Sequence, residues 1–109
     1  MTFKDKLFAL KPALQPVVIE QLGETVYVRP LLSVEMDTYG QGIRDGSIKS
    51  VTATLASLAT VDADGNRIFT EADVAELEKA DGNIVKQLAE AIIEASGLDN
   101  EQADDLKNG

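Results

Sequence analysis

Three polar residues, Asp62, Asp64 and Asn66, stand at the first, third and fifth places of the segment VDADGNRIFTEADVAEL, the spacing at which a calcium loop presents oxygen ligands. Asp73 would close such a loop at its last place. Two positions break the pattern. The sixth place, where glycine relieves a sharp turn, is Arg67, and the local glycine, Gly65, comes early. Asp73 is also shorter than the glutamate that clasps calcium with both oxygens. The same residues read without exception as a turn: Asp64, Gly65 and Asn66 reverse the chain, Ile68 and Phe69 dip into a core, and Thr70 caps a helix, with Asp73 at capping-box spacing. The turn is the preferred reading, so no metal ligand and no cofactor is assigned.

Other chemistry finds few actors. The chain of 109 residues holds no cysteine and no histidine, which removes disulfides, thiol nucleophiles, thiolate and imidazole metal sites, and the usual general base. No glycine-rich phosphate loop occurs. The carboxylate pairs Asp62 with Asp64 and Asp104 with Asp105 lie in a turn and a polar tail, where solvated charge is the ordinary role. The Asp-Ser-Leu motif on which acyl carrier proteins carry their prosthetic arm is missing. A non-enzymatic protein is expected. A net charge of -9 repels phosphate backbones and anionic lipid, so nucleic acid and membrane are not expected ligands and a protein partner is. Tyr27, Arg29, Tyr39 and Arg44 are the candidate partner contacts, because Tyr and Arg are enriched at interface hot spots.

The elements that must position these residues are legible as periodicity. Hydrophobic residues make up 44% of the chain but aromatics only 5%, so the core is aliphatic and suits packed helices. Residues 1–16 read as an arm: Phe3, Leu7, Phe8 and Leu10 recur at helical spacing before Pro12 and Pro16 intervene. Lys4, Asp5 and Lys6 interrupt the apolar start, so it is no signal peptide, and no run is long enough to span a membrane. With the missing cysteines this points to the cytoplasm.

Residues 17–98 read as one folded domain. Val17 to Ile19 and Thr25 to Arg29 alternate around Gly23 as a β-hairpin that Pro30 ends. Ser33 is an N-cap candidate for a helix through Val34, Met36 and Tyr39, with Glu35 and Asp37 in its first turn. Gly40, Gly42 and Gly46 then predict a flexible joint. A helix over Ile48 to Thr60 would bury Ile48, Val51, Leu55 and Leu58, and after Thr70 a further helix turns Val74 and Leu77 inward. Asp81 and Gly82 precede the strongest helix, Asn83 to Ser96, stopped by Gly97 with Leu98 folding over its end. Residues 99–109 read as an acidic flexible tail. The expected fold class is α+β, mostly α: an N-terminal hairpin packed on about four helices. Its core is Val26, Val28, Val51, Leu55, Leu58, Phe69, Val74, Leu77, Val85, Leu88, Ile92 and Ile93.

In this order the hairpin ending VYVRPLLSVEMD, the helix running into VDADGNRIFTEADVAEL and the last helix closing AIIEASGL before an acidic tail resemble the small tail assembly chaperones of long-tailed bacteriophages of the lambda and HK97 type, over roughly residues 17 to 98. The Gly40 to Gly46 stretch maps onto no feature of that family. The resemblance implies a non-enzymatic protein of the infected host's cytoplasm, absent from the mature virion. Such a protein binds the tape measure protein, keeps that long hydrophobic helical chain soluble until tail tube protein polymerises around it, and self-associates. A homo-oligomer is the expectation, carried by an unpaired hairpin edge and by the arm. The family commonly makes a longer product by ribosomal slippage, and Leu106, Lys107 and Asn108 permit the codon run that slippage needs. The competing readings are a calcium-binding regulator built on Asp62 to Asp73 and an acidic protein-protein adaptor.

Overall fold

The computed structural model describes residues 1–98; the acidic tail and the Leu106 to Asn108 stretch lie outside the described residues. The longest helix, α5 (Gly82–Ala95), starts where Asp81 turns its carboxylate onto the backbone N–H groups of Asn83 (2.9 Å) and Ile84 (3.1 Å). Two of the helix's orphan donors are thereby satisfied. It ends at Gly97, whose φ of 76° lets the Leu98 N–H reach back to the Ile93 carbonyl at 3.0 Å. Leu98 folds against the core as its sequence position suggested.

Helix α5 packs against α3 (Val51–Ala59) and against the hairpin of β1 (Gln15–Ile19) and β2 (Glu24–Val28). The strands pair antiparallel in the register Val17↔Val26, joined by a short 3-10 turn that closes on left-handed Gly23. Val17 and Ile19 point to the core and Val18 away, the period-2 alternation of a half-buried strand. A two-residue strand that the sequence pattern did not mark, β3 (Thr60–Val61), pairs with β2 through Tyr27↔Val61 and Val28↔Thr60. The sheet therefore has three strands in the order β1-β2-β3. Helices α2 (Ser33–Arg44) and α4 (Val74–Lys79) flank α3, and the N-terminal α1 (Phe3–Ala9) buries none of its residues. The chain is α+β and mostly helical, with the hairpin on four helices α2 to α5.

Of the expected core, Val28, Leu55, Leu77, Val85, Leu88, Ile92 and Ile93 are buried, and Val26, Val51, Leu58, Phe69 and Val74 pack at its margin. The buried face of α3 differs from the one expected. The helix begins at Val51, capped by Ser50 Oγ on the Ala53 N–H, and its deepest residues are Ala53, Leu55, Ala56 and Ala59. Small side chains let a helix sit close to its neighbours, a signal that a count of large apolar residues overlooks. Ile68, expected in the core, is 44% exposed.

The glycine stretch also departs from expectation. Helix α2 runs straight through Gly40 and Gly42, both buried. A Cβ on Gly42 would stand 2.6 Å from the Ile48 side chain, so this glycine serves close packing, not a joint. Only Gly46, at φ 76°, turns the chain. The start of α2 is not made by Ser33 either. Ser33 is the first helical residue, and Glu35 accepts the Leu32 N–H at 2.8 Å in place of a serine cap.

Leu88 is 4% exposed on the face of α5 that lines the core. Leu88→Ala is expected to lower unfolding free energy by about 2 to 5 kcal/mol, measured by chemical denaturation; an unchanged midpoint would show that this stripe is not the core.

Candidate protein interaction surface

Helix α3 converts into β3 with no intervening loop, so its last carbonyls must be satisfied by distant groups. Ala56 O accepts the Thr60 N–H. Ser57 O accepts from Arg67 Nε (3.1 Å) and Nη2 (2.7 Å), Leu58 O from Arg29 Nη2 (3.0 Å), and Ala59 O from the Arg29 backbone N–H (3.1 Å). No basic residue lies in the last turn of α3, so these two arginines also supply the positive charge that suits a helix C-terminus. Arg29 forks onto Glu35 as well, at 2.7 and 3.0 Å, and donates to Pro30 O at 3.1 Å. Burial pushes the Glu35 carboxyl upward. The hydrogen bonds from Arg29 and Leu32 and the charges of Arg29 and Arg67 outweigh it and hold the group below its ordinary 4.5.

The four candidate contacts therefore divide. Arg29 is 7% exposed and committed to Glu35 and to α3, so it is an internal fastening rather than a partner contact. Tyr39 is 2% exposed, with burial raising its hydroxyl pKa, and it fills the core where an interface role was expected. Tyr27 is half-buried in β2 opposite Pro16 and Val61, and Arg44 is exposed in the last turn of α2. Glu35 and Arg67 were missed. Glu35 was read only as a first-turn carboxylate and Arg67 only as a residue that spoils a loop. Their partners are set by tertiary placement, which leaves no periodic trace.

The Asp62 to Asn66 segment is a turn. Asp62 Oδ1 accepts the N–H groups of Asp64 (2.9 Å) and Asn66 (3.0 Å), Asp62 N–H bonds Asn66 O, and Gly65 takes φ 87°. Arg67 then pairs with Val61 as extended chain, where a calcium loop needs its glycine. Asp73 Oδ2 is taken by the Thr70 N–H at 2.7 Å and hydroxyl at 3.3 Å. Among the described residues no three acidic side chains converge into a group that could hold a metal ion.

Exposed apolar side chains are densest at the N-terminus, with others on the hairpin at Val18 and Leu22, at the start of α2 at Leu32 and Val34, and at Ile68. Met1, Phe3, Phe8 and Leu10 are each at least 75% exposed and Leu7 is 51% exposed. Thr2 caps α1, its Oγ1 accepting the Asp5 N–H at 3.2 Å and Asp5 answering on the Thr2 N–H at 3.4 Å. The helix is thus formed locally, without tertiary cover. The hairpin edge, by contrast, is blunted. Pro16 has no N–H to offer, Gln87 Nε2 donates to the Val18 carbonyl at 2.9 Å, and β3 covers part of the far edge of β2. The outer edge of β1 nonetheless pairs with no strand among the described residues.

The described residues thus form a three-stranded antiparallel sheet against a helical bundle, with an N-terminal helix outside it. No family model matches the sequence, and no curated protein matches it. Among solved structures, the chain shares its fold with the bacteriophage HK97 tail assembly chaperone: TM-score 0.62 and 15% identity, over 89% of this chain and 98% of that one.

Removing one partner of a buried pair strands the other. Arg29→Ala is expected to cost about 3 to 5 kcal/mol and exposed Arg44→Ala within about 0.5 kcal/mol, read as denaturation midpoints; equal effects would reverse the assignment. The pH dependence has a definite sign. A carboxyl held low when folded contributes stability above its unfolded pKa, and that contribution is lost as pH falls through the folded value. The stability gap between wild type and Glu35→Gln is therefore expected to be widest at neutral pH and to close as pH falls below 4.5, measured by denaturation across that range.

Proposed function

We propose that this chain is a non-enzymatic tail assembly chaperone of a long-tailed bacteriophage, acting in the host cytoplasm and absent from the finished virion. Its client is the tape measure protein, a long hydrophobic helical chain that needs cover until tail tube subunits enclose it. The observation that carries this reading is the likeness in fold to the HK97 tail assembly chaperone along nearly the whole of both chains. Two features of the chain support it. The apolar side chains of α1 stand outside the core on a helix already formed, which suits capture of another helix by apolar contact. The net charge of -9 keeps a complex with an apolar client dispersed.

Co-expression tests it. The tape measure protein encoded beside this chain is expected to be insoluble alone, and soluble and co-purifying when full-length chain is supplied. If solubility is unchanged and nothing co-purifies, the chaperone reading fails.

A further inference from the structure

Negative charge on this chain is concentrated beside one apolar depression. Residues 71–81 hold Glu71, Asp73, Glu76, Glu78 and Asp81 against Lys79, a net charge of -4, which is nearly half of the chain's -9. Ile68 and Phe69 on one side and Leu77 and Ala80 on the other line an open groove of about 390 Å³, and Asp73 and Glu76 stand at its rim. Leu77 belongs to the core, whereas Ile68, which the sequence placed there too, is left 44% exposed at the groove.

The two walls are set by bonds that leave the apolar lining free. The Ile68 N–H is tied to Thr60 O at 3.1 Å, and the Thr70 N–H to Asp73 Oδ2 at 2.7 Å. The ion pairs among the described residues join Arg29 to Glu35 and Lys86 to Glu90, so Glu76 keeps its charge unpaired there. A groove already formed costs little to order when something enters it. An amphipathic helix docks in such a groove by its apolar anchors, and the acidic rim selects one whose anchors are flanked by lysine or arginine and repels one flanked by carboxylates.

We propose that the groove between Ile68–Phe69 and α4 receives a helical segment of the client in which apolar side chains one turn apart are flanked by lysine or arginine. The apolar side chains enter against Ile68 and Leu77, and the cations meet Asp73 and Glu76. This rests on the chaperone reading and deepens it: of the client's helical length, the basic amphipathic segments are the ones held at this site, and acidic segments are refused by the rim and by the net charge behind it.

Overlapping fluorescein-labelled peptides spanning the tape measure protein, titrated against the full-length chain by fluorescence anisotropy, test it. The peptides that bind are expected to be basic and to carry apolar residues on one helical face. Ile68→Asp is expected to weaken their binding by at least about tenfold. Glu76→Lys, at an exposed position, should weaken it by a smaller factor that shrinks as salt is raised, and exchanging a flanking lysine of the peptide for glutamate should recover binding to that variant. Val34→Asp, at an exposed apolar position on α2, is expected to leave binding unchanged. Circular dichroism checks the fold of each variant. Because the chain has no cysteine, a benzophenone attached to Ala80→Cys reports the contact without background and is expected to crosslink the peptide, while the same label on Gln21→Cys in the hairpin turn is expected not to. Peptide binding indifferent to Ile68→Asp and Glu76→Lys, selection of acidic segments, a crosslink from Gln21→Cys in place of Ala80→Cys, or an Ile68→Asp effect confined to association between copies would each overturn the groove assignment. So would a chain that binds no peptide yet keeps the whole tape measure protein soluble on co-expression; in all these cases the chaperone reading stands, whereas failure of that co-expression removes both.

Discussion

The arrangement depends on how helix α3 ends. A helix that passes directly into a strand exposes its final carbonyls in the middle of the protein, where an unpaired polar group costs about 1 to 3 kcal/mol. Arg29 settles this from just beyond β2 and Arg67 from the bridge residue beyond the Asp62 to Asn66 turn, so the segments on either side of β3 are tied to the carbonyls they satisfy. Arg29 reaches Glu35 with its second edge, which ties the start of α2 to the same point. One guanidinium thus joins the sheet, α2 and α3. Desolvating such a pair is costly, and a buried ion pair is weak support for stability. What the geometry shows is the Leu58 carbonyl, the end of β2 and the start of α2 meeting at one guanidinium.

That constraint bears on where the hairpin lies and on which of its edges is covered. With Arg29 N–H bonded to Ala59 O, β2 continues past Val28 along the end of α3, and Thr60–Val61 falls into register beside it. The other face of the hairpin is held by α5, whose Gln87 reaches the Val18 carbonyl and whose Ser96 Oγ accepts the Leu31 N–H at 2.9 Å. The edge of β2 near Tyr27 and Val28 is thereby covered, while the outer edge of β1 pairs with no strand among the described residues. Beyond that edge, the fold leaves exposed apolar residues on α1, on the hairpin at Val18 and Leu22, and at the start of α2 at Leu32 and Val34.

The sequence made the helices and hairpin legible because both have a repeat and punctuation: Asp81 and Gly97 bracket α5, and Gly23 sits at the hairpin's left-handed position. It made the turn legible too, because Asp62, Gly65 and Asn66 act on their own neighbours. Three kinds of feature were hidden. Strand β3 is two residues long, too short for any alternation to show. Gly40 and Gly42 look like breakers but sit buried in a helix, where the neighbour Ile48 is known only after folding. Arg29 and Tyr39 have the composition of an interface, and only burial shows that they are spent internally. For the candidate surface, residue type told little and exposure told most.

The arm poses the same problem in sharper form. Phe3, Leu7 and Leu10 have the spacing of a core stripe, and by periodicity alone α1 is indistinguishable from a helix that packs on its own domain. What sets it apart is charge: residues 1–16 are net +2 in an acidic chain, and Pro12 after the helix bars its continuation. A free apolar helix on a neutral protein would invite indiscriminate aggregation. With a net charge of -9 on the whole chain, repulsion between copies opposes indiscriminate contact.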